Sequence, residues 1–564
     1  MAHITGKKTI FFVTSPRSPH KLIDEVKFLT ENFSNKEWNS KTQEEFYIEL
    51  SKQSFFEGSP SGDVAFKARD RINRAPKSLG LVDLKPTIKL TEAGKVYIYG
   101  ERKEPIFLRQ LLKFQLPSPY HVDKDFTFEV KPYLELMRLI NDLNSLSKNE
   151  IALFVVQLTH FNKYEEVKDK IIKFREEVKT LKDRKVGYKR FVAETFTSEL
   201  KKLFEEEISG NDISTRESDD ISLSKFIITK RRNHNDYADA SIRYLRATGL
   251  FSINPRTFKI YLIPEKQKEL EYILKNVDRS IKRYDTEEEY ERYLFDPTLP
   301  VLFTDDRELI IKKIISKTSE ISETYLTSLD TEKLKDIYYE IVNKNLNELI
   351  NIEKTKLKTY SEFDDIINTF KDIENKEIVD PPLFLEWNIW RSFTMLNDGD
   401  IVGNFKVDDD GVPLYTAPGN TADIVCKYKD FETIIEVTMS SGHKQYEMEG
   451  EPVARHYGNH KKLTNKDTYC IFIAPKPSEA TIAHYYILHR SNIDYYGGKA
   501  KIIPISLNDF KILLNNAYSL KDKPTSSDIK KLWSELSGLA LKAENENQWF
   551  SAISEKTRTA FLNV

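Results

Sequence analysis

Two acids stand on neighbouring apolar, alternating stretches: Asp423 in Ala422-Asp-Ile-Val-Cys426 and Glu436 in Thr433-Ile-Ile-Glu-Val-Thr-Met439, with a turn expected at Lys429-Asp430 between them. Consecutive hairpin strands would bring both acids to one end of a sheet. Alternation puts Glu436 and Thr438 on one face and leaves the Val437 carbonyl near the same edge. Two carboxylates and a backbone carbonyl suit a hard cation such as Mg2+, which prefers oxygen ligands and keeps waters. Glu386 is embedded in the apolar run Leu383-Phe-Leu-Glu-Trp-Asn-Ile-Trp-Arg-Ser-Phe393, where a carboxylate needs a partner or a metal. Glu449 follows in a Gly/Glu-containing segment, and Pro452 suits the first position of a helix bearing Arg455, His456, His460, Lys461 and Lys462. An acid, an imidazole and bases thereby border the proposed metal. His443, His456 and His460 do not make a zinc site, because no cysteine pair or further spaced ligand accompanies them.

The elements that must position these groups follow from periodicity. Past Pro381-Pro382 the pattern changes from helical to alternating, as expected for a domain with a mixed sheet. Before it, residues 305–376 are rich in Glu, Lys, Leu and Ile, lack Pro and Gly, and carry Leu334, Ile337, Ile341, Leu346, Leu349 and Ile352 at helical spacing. That stretch is expected to be long helices serving as a spacer. Residues 63–99 and 223–263 each read as helix, glycine stop and two-stranded wing, the first ending in a capped helix at Thr91 and the second starting a helix at Asp236. Both resemble winged helix-turn-helix units, which place a helix in the major groove and a wing on phosphate. Their basic residues include Arg69, Arg71 and Lys77 in the first and Lys230, Arg231, Arg232, Arg243 and Arg246 in the second. Arg243 and Arg246 are expected opposite the apolar face of Ala238, Ile242 and Leu245. The organisation expected is therefore multi-domain α/β (α+β): recognition domains over 1–130 and 131–300, a helical linker over 301–380 and a catalytic domain over 381–564.

Composition narrows the class. The 564 residues make several domains the expectation, and 19 Gly with 22 Pro exclude collagen-like and Gly/Pro-rich disordered chains. Two cysteines, Cys426 and Cys470, cannot build a disulfide framework, which suits a reducing, cytoplasmic setting. No apolar run is long enough to span a bilayer, so no membrane partner is expected. A net charge of −2 requires any nucleic acid to be held by local charge.

The stretch Ala422-Asp423, Glu436-Val437-Thr438, Glu449 and Pro452-Val-Ala-Arg-His456-Tyr resembles the catalytic core of the AlwI-family type IIS restriction endonucleases, within the PD-(D/E)xK nuclease superfamily. The resemblance extends to Ser15-Pro-Arg-Ser-Pro19, Arg69-Asp-Arg71, Thr91-Glu-Ala-Gly-Lys95, Tyr244 to Leu250 and Ile471-Phe-Ile-Ala-Pro475, and is nearest the branch reading GAGTC. Ala422 and Thr438 depart from it, standing where the superfamily carries proline and lysine. The resemblance implies a Mg2+-dependent endonuclease of a prokaryotic restriction-modification system, with a cognate methyltransferase protecting its site. It also implies that Glu386, Glu449 and His456 complete the site, and it adds Arg17 to the DNA-contacting set. Cutting both strands needs a second centre, which a transient homodimer on double-stranded DNA would supply through Tyr495, Tyr496 and Lys499. Two readings stand beside this one: a strand-specific nicking enzyme, and a non-catalytic DNA-binding regulator with a degenerate nuclease domain.

Overall fold

The computed structural model describes residues 7–53, 55–56, 58–121, 128–181, 186–215, 217–375, 378–396, 398–418 and 421–562. Its contacts divide the chain into two compact units, 1–342 and 343–564. The division falls inside a single 28-residue helix, Thr331–Lys358, in the stretch where the sequence predicts long helices.

In the first unit Asp63 caps the Val64–Ile72 helix by accepting from the Phe66 amide. The short antiparallel strands β1 (Val82–Asp83) and β2 (Lys89–Leu90) follow. Thr91 then caps the Glu92–Tyr99 helix through the Gly94 amide at 2.9 Å. Gly94 is required there, because a Cβ would stand 2.0 Å from the Leu81 carbonyl oxygen. Further along, Ser222 rather than Asp236 caps the Leu223–Arg246 helix. The helix runs straight through Asp236, since no breaker precedes it and Phe226, Thr229 and His234 extend the buried stripe toward the N-terminus. Gly249, at φ +72°, turns the chain into β3 (Phe251–Ile253), which pairs antiparallel with β4 (Ile260–Leu262).

In the second unit the end of the Thr331–Lys358 helix and the Phe363–Glu374 helix lead to the Pro381–Leu396 helix, which is buried continuously from Leu383 to Leu396. After it come β5 (Asp400–Gly403) and the small ribbon of β6 (Lys406–Val407) and β7 (Pro413–Tyr415). A hairpin follows, β8 (Ile424–Lys427) with β9 (Phe431–Val437), and then β10 (Asp467–Ala474) and β11 (Ile502–Ser506). These build a five-stranded mixed sheet in the order β11-β10-β9-β8-β5, parallel across β11, β10 and β9 and antiparallel beyond. The parallel strands need crossovers, supplied by the helices Gly442–Leu463 and Glu479–Arg490, which pack on each other and on the sheet. The Leu383–Leu396 stripe packs on β5, β8 and β9 and on the Leu507–Ser519 helix, where Phe393 stacks against Phe510. Cys426 and Cys470 are both buried free thiols in this sheet. Among the described residues no helix is long and apolar enough to cross a membrane.

Candidate active site and DNA interface

Register brings the acids together. Ile424 pairs with Ile435 across the β8–β9 hairpin, so Asp423, one residue before β8, faces Glu436 near the end of β9. The Val437 amide donates to Asp423 Oδ2 at 2.7 Å, and Asn404 fixes the same corner, its amide donating to the Asp423 carbonyl and its side chain to the Ala422 carbonyl. Glu386 arrives from the buried helix at 6% exposure and accepts from the Ala417 amide at 3.2 Å.

The electrostatics of this group are adverse. Burial raises the carboxyls of Glu386, Asp423 and Glu436 well above the ordinary range. They also raise one another: Asp423 acts on Glu386, Glu436 on Asp423, and Glu449 on Glu436. The pull of Arg455 on Glu436 does not offset this. His456 Nδ1 lies 2.9 Å from Glu436 Oε1, close enough for an ion pair. Burial, with Arg455 nearby, pushes the imidazole down to about 4, so at neutral pH the contact is a hydrogen bond sharing one proton rather than a salt bridge. His456 Nε2 is buried and has no hydrogen-bond partner among the described residues.

The helix carrying His456 starts at Gly442, so Pro452 lies inside it rather than at its first position. Proline removes one intrahelical hydrogen bond. The helix continues because Gln445, Val453, Ala454, Tyr457 and Gly458 are buried along it. Glu449 is thereby helical, two turns before His456 and on the same face. One turn past His456, His460 Nε2 meets Glu432 Oε2 at 2.8 Å, so two imidazoles cross two acids of β9.

Among the described residues no group of three or more His, Cys, Asp or Glu side chains is arranged to hold a metal ion. The donor chemistry nevertheless fits a hard divalent cation: the adjacent acids offer only oxygen, and their mutual repulsion is of the kind a cation relieves. Sequence reasoning missed Asn404 and Gln445. Gln445, fully buried, donates to the Ser440 and Lys476 carbonyls and accepts from the Ser478 amide, tying together the loops after β9 and β10. No motif or spacing marks either residue, since Asn404 bonds to a carbonyl 18 residues on and Gln445 joins the loop before its helix to backbone groups 31 and 33 residues on.

The basic residues divide into exposed and committed. Arg17, Arg69 and Arg232 are exposed. Arg71 turns inward to a bidentate contact with Glu25, whose carboxyl burial still holds above its ordinary range. Lys77 lies over the Tyr120 ring and 3.6 Å from Glu287. Lys230 covers Phe204 and Phe226, and Arg231 covers Phe196. Arg243 pairs with Asp239 at 3.0 Å. Arg246 is only 3% exposed, which corrects its expected place on an open face: the helix is buried from Tyr244 through Ala247 where β3 and its own C-terminal turn close over it. On the 485–499 segment Tyr485 and Leu488 are core residues, whereas Ile487, Tyr495 and Lys499 are exposed.

Over residues 77–513 the chain matches the family model described as the AlwI restriction endonuclease. No curated protein matches it. Similar solved structures include the small subunit of the heterodimeric restriction endonuclease BspD6I, 26% identical over 34% of this chain and 98% of that one, with a TM-score of 0.30. They also include the BpuJ1 endonuclease binding domain in complex with pyrene- and phenanthrene-modified DNA, 15% identical over 51% of this chain and 97% of that one, TM-score 0.32. The restriction endonuclease FokI is 11% identical over 93% of this chain and 99% of that one, TM-score 0.23.

Proposed function

The chain belongs to the AlwI restriction endonuclease family, a type IIS family, and from that premise we propose that it is a Mg2+-dependent endonuclease cutting double-stranded DNA at a fixed offset from a short asymmetric site of the GAGTC type. The observation that carries the chemistry is the set of mutually repelling carboxylates Glu386, Asp423 and Glu436 at one corner of a mixed sheet.

Asp423 and Glu436, with the Val437 carbonyl, would hold the cation. Bound there, Mg2+ supplies Lewis-acid polarisation of the scissile phosphate and a lowered pKa for the attacking water. The chain's own groups do the positioning. The Val437 amide fixes one oxygen of Asp423, and His456 fixes one oxygen of Glu436, leaving the other oxygen of each acid for ligation. Arg455 supplies positive charge beside Glu436, in support of the charge that develops on the phosphorane. Thr438 stands where the superfamily's lysine would be and cannot supply that charge. Glu449, on the His456 face of its helix, completes the acidic surround. Hydrolysis breaks the bond from phosphorus to the 3′ oxygen and leaves a 5′-phosphate and a 3′-hydroxyl.

The first unit is the recognition part of this proposal, with its two helix-and-hairpin segments as winged-helix-like readers. Cutting both strands would require two copies to pair transiently on DNA through the Tyr495-Tyr496-Lys499 surface. The setting proposed is the cytoplasm of a prokaryote whose cognate methyltransferase protects the site. The test is incubation of supercoiled plasmid with protein and Mg2+, with and without EDTA, followed by sequencing of the ends. Linear product with ends at one offset from a recurring asymmetric site is expected. Sequence-specific binding without cleavage would favour a regulator, and nicked circles alone a nicking enzyme.

A further inference from the structure

We infer that Arg17 and Asp236 together read one G·C base pair in the major groove, Arg17 donating to guanine O6 and N7 and Asp236 accepting from the cytosine amino group. The inference deepens the endonuclease reading and rests on it.

The loop that carries Arg17 is fixed at nearly every residue around it. The Val13 amide donates to Tyr133 Oη at 3.3 Å, and Arg74 Nη1 donates to Thr14 Oγ1 at 2.9 Å. Tyr244 Oη donates to the Pro16 carbonyl at 2.9 Å, and Arg243 Nη1 donates to Ser18 Oγ at 3.0 Å. Tyr133 and Tyr244 are themselves buried and stacked, with centroids 6.2 Å apart and planes at 18°. Pro16 and Pro19 are buried on either side, and Arg17 between them projects outward with its side chain 48% exposed. A rigid loop presenting one guanidinium is the arrangement recognition needs, since little freedom is left to lose on binding.

The partner of Arg17 is as informative as its loop. Arg17 Nη2 lies 2.8 Å from Asp236 Oδ1, whose side chain is 38% exposed. One turn along the same helix, Asp239 is buried and held by Arg243 and Lys148. The helix thus carries one acid committed to the fold and one on the surface, in an ion pair of the exposed kind that contributes little and exchanges readily. Four other basic groups of this helix are spent otherwise, Arg243 on Asp239, Lys230 and Arg231 over phenyl rings and Arg246 in the interior, while Arg232 is exposed.

A carboxylate beside the guanidinium decides what the pair accepts. A phosphate is attracted by Arg17 and repelled by Asp236, so a backbone contact gains little. The major-groove edge of a G·C pair is neutral and offers two acceptors on guanine and one donor on cytosine, matching the guanidinium fork and the neighbouring carboxylate. The couple therefore suppresses sequence-independent binding at this point while keeping the base contact.

The experiment measures binding of the full-length protein, without Mg2+, to the duplex identified by end sequencing and to a scrambled duplex. The Arg17→Ala variant is expected to bind the cognate duplex about ten- to a hundredfold more weakly and the scrambled one almost unchanged. Arg17→Lys, which keeps the charge but loses the fork, should show the same loss of discrimination. Asp236→Asn should bind the scrambled duplex more tightly, with the salt slope steeper by about one phosphate contact. Among single base-pair changes, one G·C pair should account for the whole effect of Arg17→Ala. Equal losses on both duplexes, or an Asp236→Asn variant with wild-type discrimination, would overturn this inference while leaving the endonuclease reading intact. Wild-type protein that favours no duplex would overturn both.

Discussion

Two sets of buried acids, one in each unit, are treated in opposite ways. In the unit 343–564, Glu386, Asp423 and Glu436 are pushed well above the ordinary carboxylate range by burial and by neighbouring acids, Glu449 among them. In the unit 1–342, burial would likewise raise Asp239, but Arg243, Lys148 and Arg17 outweigh it and draw its carboxyl below the ordinary range. One set of charges is balanced within the chain and contributes to its fold. The other is left unbalanced, a state that costs stability and persists where a ligand is to supply the missing charge. Under the proposed function the difference separates Asp239, which holds the fold together, from acids that await a cation.

The largest effect should come from breaking the unbalanced set. With Asp423→Asn or Glu436→Gln, we expect cleavage to fall by about a thousandfold or more, the equivalent of about 4 kcal/mol in the transition state. DNA binding should stay near the wild-type value. Stability without metal should rise, because one member of a repelling group is gone. The sign follows from linkage: a carboxyl whose folded-state pKa lies above its unfolded value, near 4, adds stability below that value and withdraws it as pH rises through the window above. Metal-free wild-type protein should therefore lose stability as pH rises above about 4, Mg2+ should restore it, and both variants should flatten the profile. Denaturant titrations at several pH values, with and without Mg2+, measure this. A variant that is destabilised and still cuts would show these acids to be part of the scaffold.

The balanced set should respond in the reverse sense. Arg243→Ala leaves Asp239 buried with weaker compensation, and we expect about 2 kcal/mol of lost stability at neutral pH. Asp239 has a depressed folded-state pKa, so its contribution is present above the unfolded value near 4 and is lost as pH falls through the folded value. The penalty of the variant should consequently fade in acid, whereas the gain from Asp423→Asn should appear only above pH ~4. Unchanged stability in Arg243→Ala would put Arg243 at the DNA surface instead of in the fold.

Much of this contrast is already present in the amino-acid pattern, and its limits have physical causes. Alternation around Asp423 and Glu436, with a short turn between them, suffices to place both at one end of a hairpin, because the two-residue period excludes odd slips and the turn length sets the rest of the register. The Pro381–Leu396 helix is legible because most of its residues are large and apolar. Helix starts are less legible: Asp236 and Pro452 look like openings locally, but tertiary burial carries both helices through them. The basic residues mislead for a related reason. Charge counting treats Arg71, Lys77 and Lys230 alike, whereas their partners Glu25, Tyr120 and Phe204 lie 46, 43 and 26 residues away and are invisible to local pattern; the Asp239–Arg243 pair, one helical turn apart, is not. Asn404 and Gln445 are silent for the same reason, since their bonds are to distant backbone.

The smallest expected effect concerns the proposed pairing surface, and it asks whether a residue can act without belonging to either set. Tyr495 is 59% exposed, while the turn beneath it is secured by others. Lys462 Nζ donates to the Tyr495 carbonyl at 2.9 Å, and Gly458 lies so close to Tyr496 that a Cβ there would stand 2.7 Å from its Cα. The turn thus rests on the helix that carries His456, through main-chain contacts that truncation of Tyr495 does not touch. Tyr495→Ala should therefore change stability by no more than about 0.5 kcal/mol and leave the rate of first-strand cleavage and the binding of one site unaltered. If two copies meet through this ring, second-strand cleavage should slow and nicked circles accumulate before linear product, most clearly at low protein concentration. Lys499→Ala, on the same exposed surface, should act in the same direction and less strongly, because a solvated charge adds little to an interface beside an aromatic contact. A Tyr495→Ala enzyme that linearises plasmid with wild-type kinetics at every concentration would leave the second centre to be found on another face, and would reduce this turn to a brace for the helix of His456.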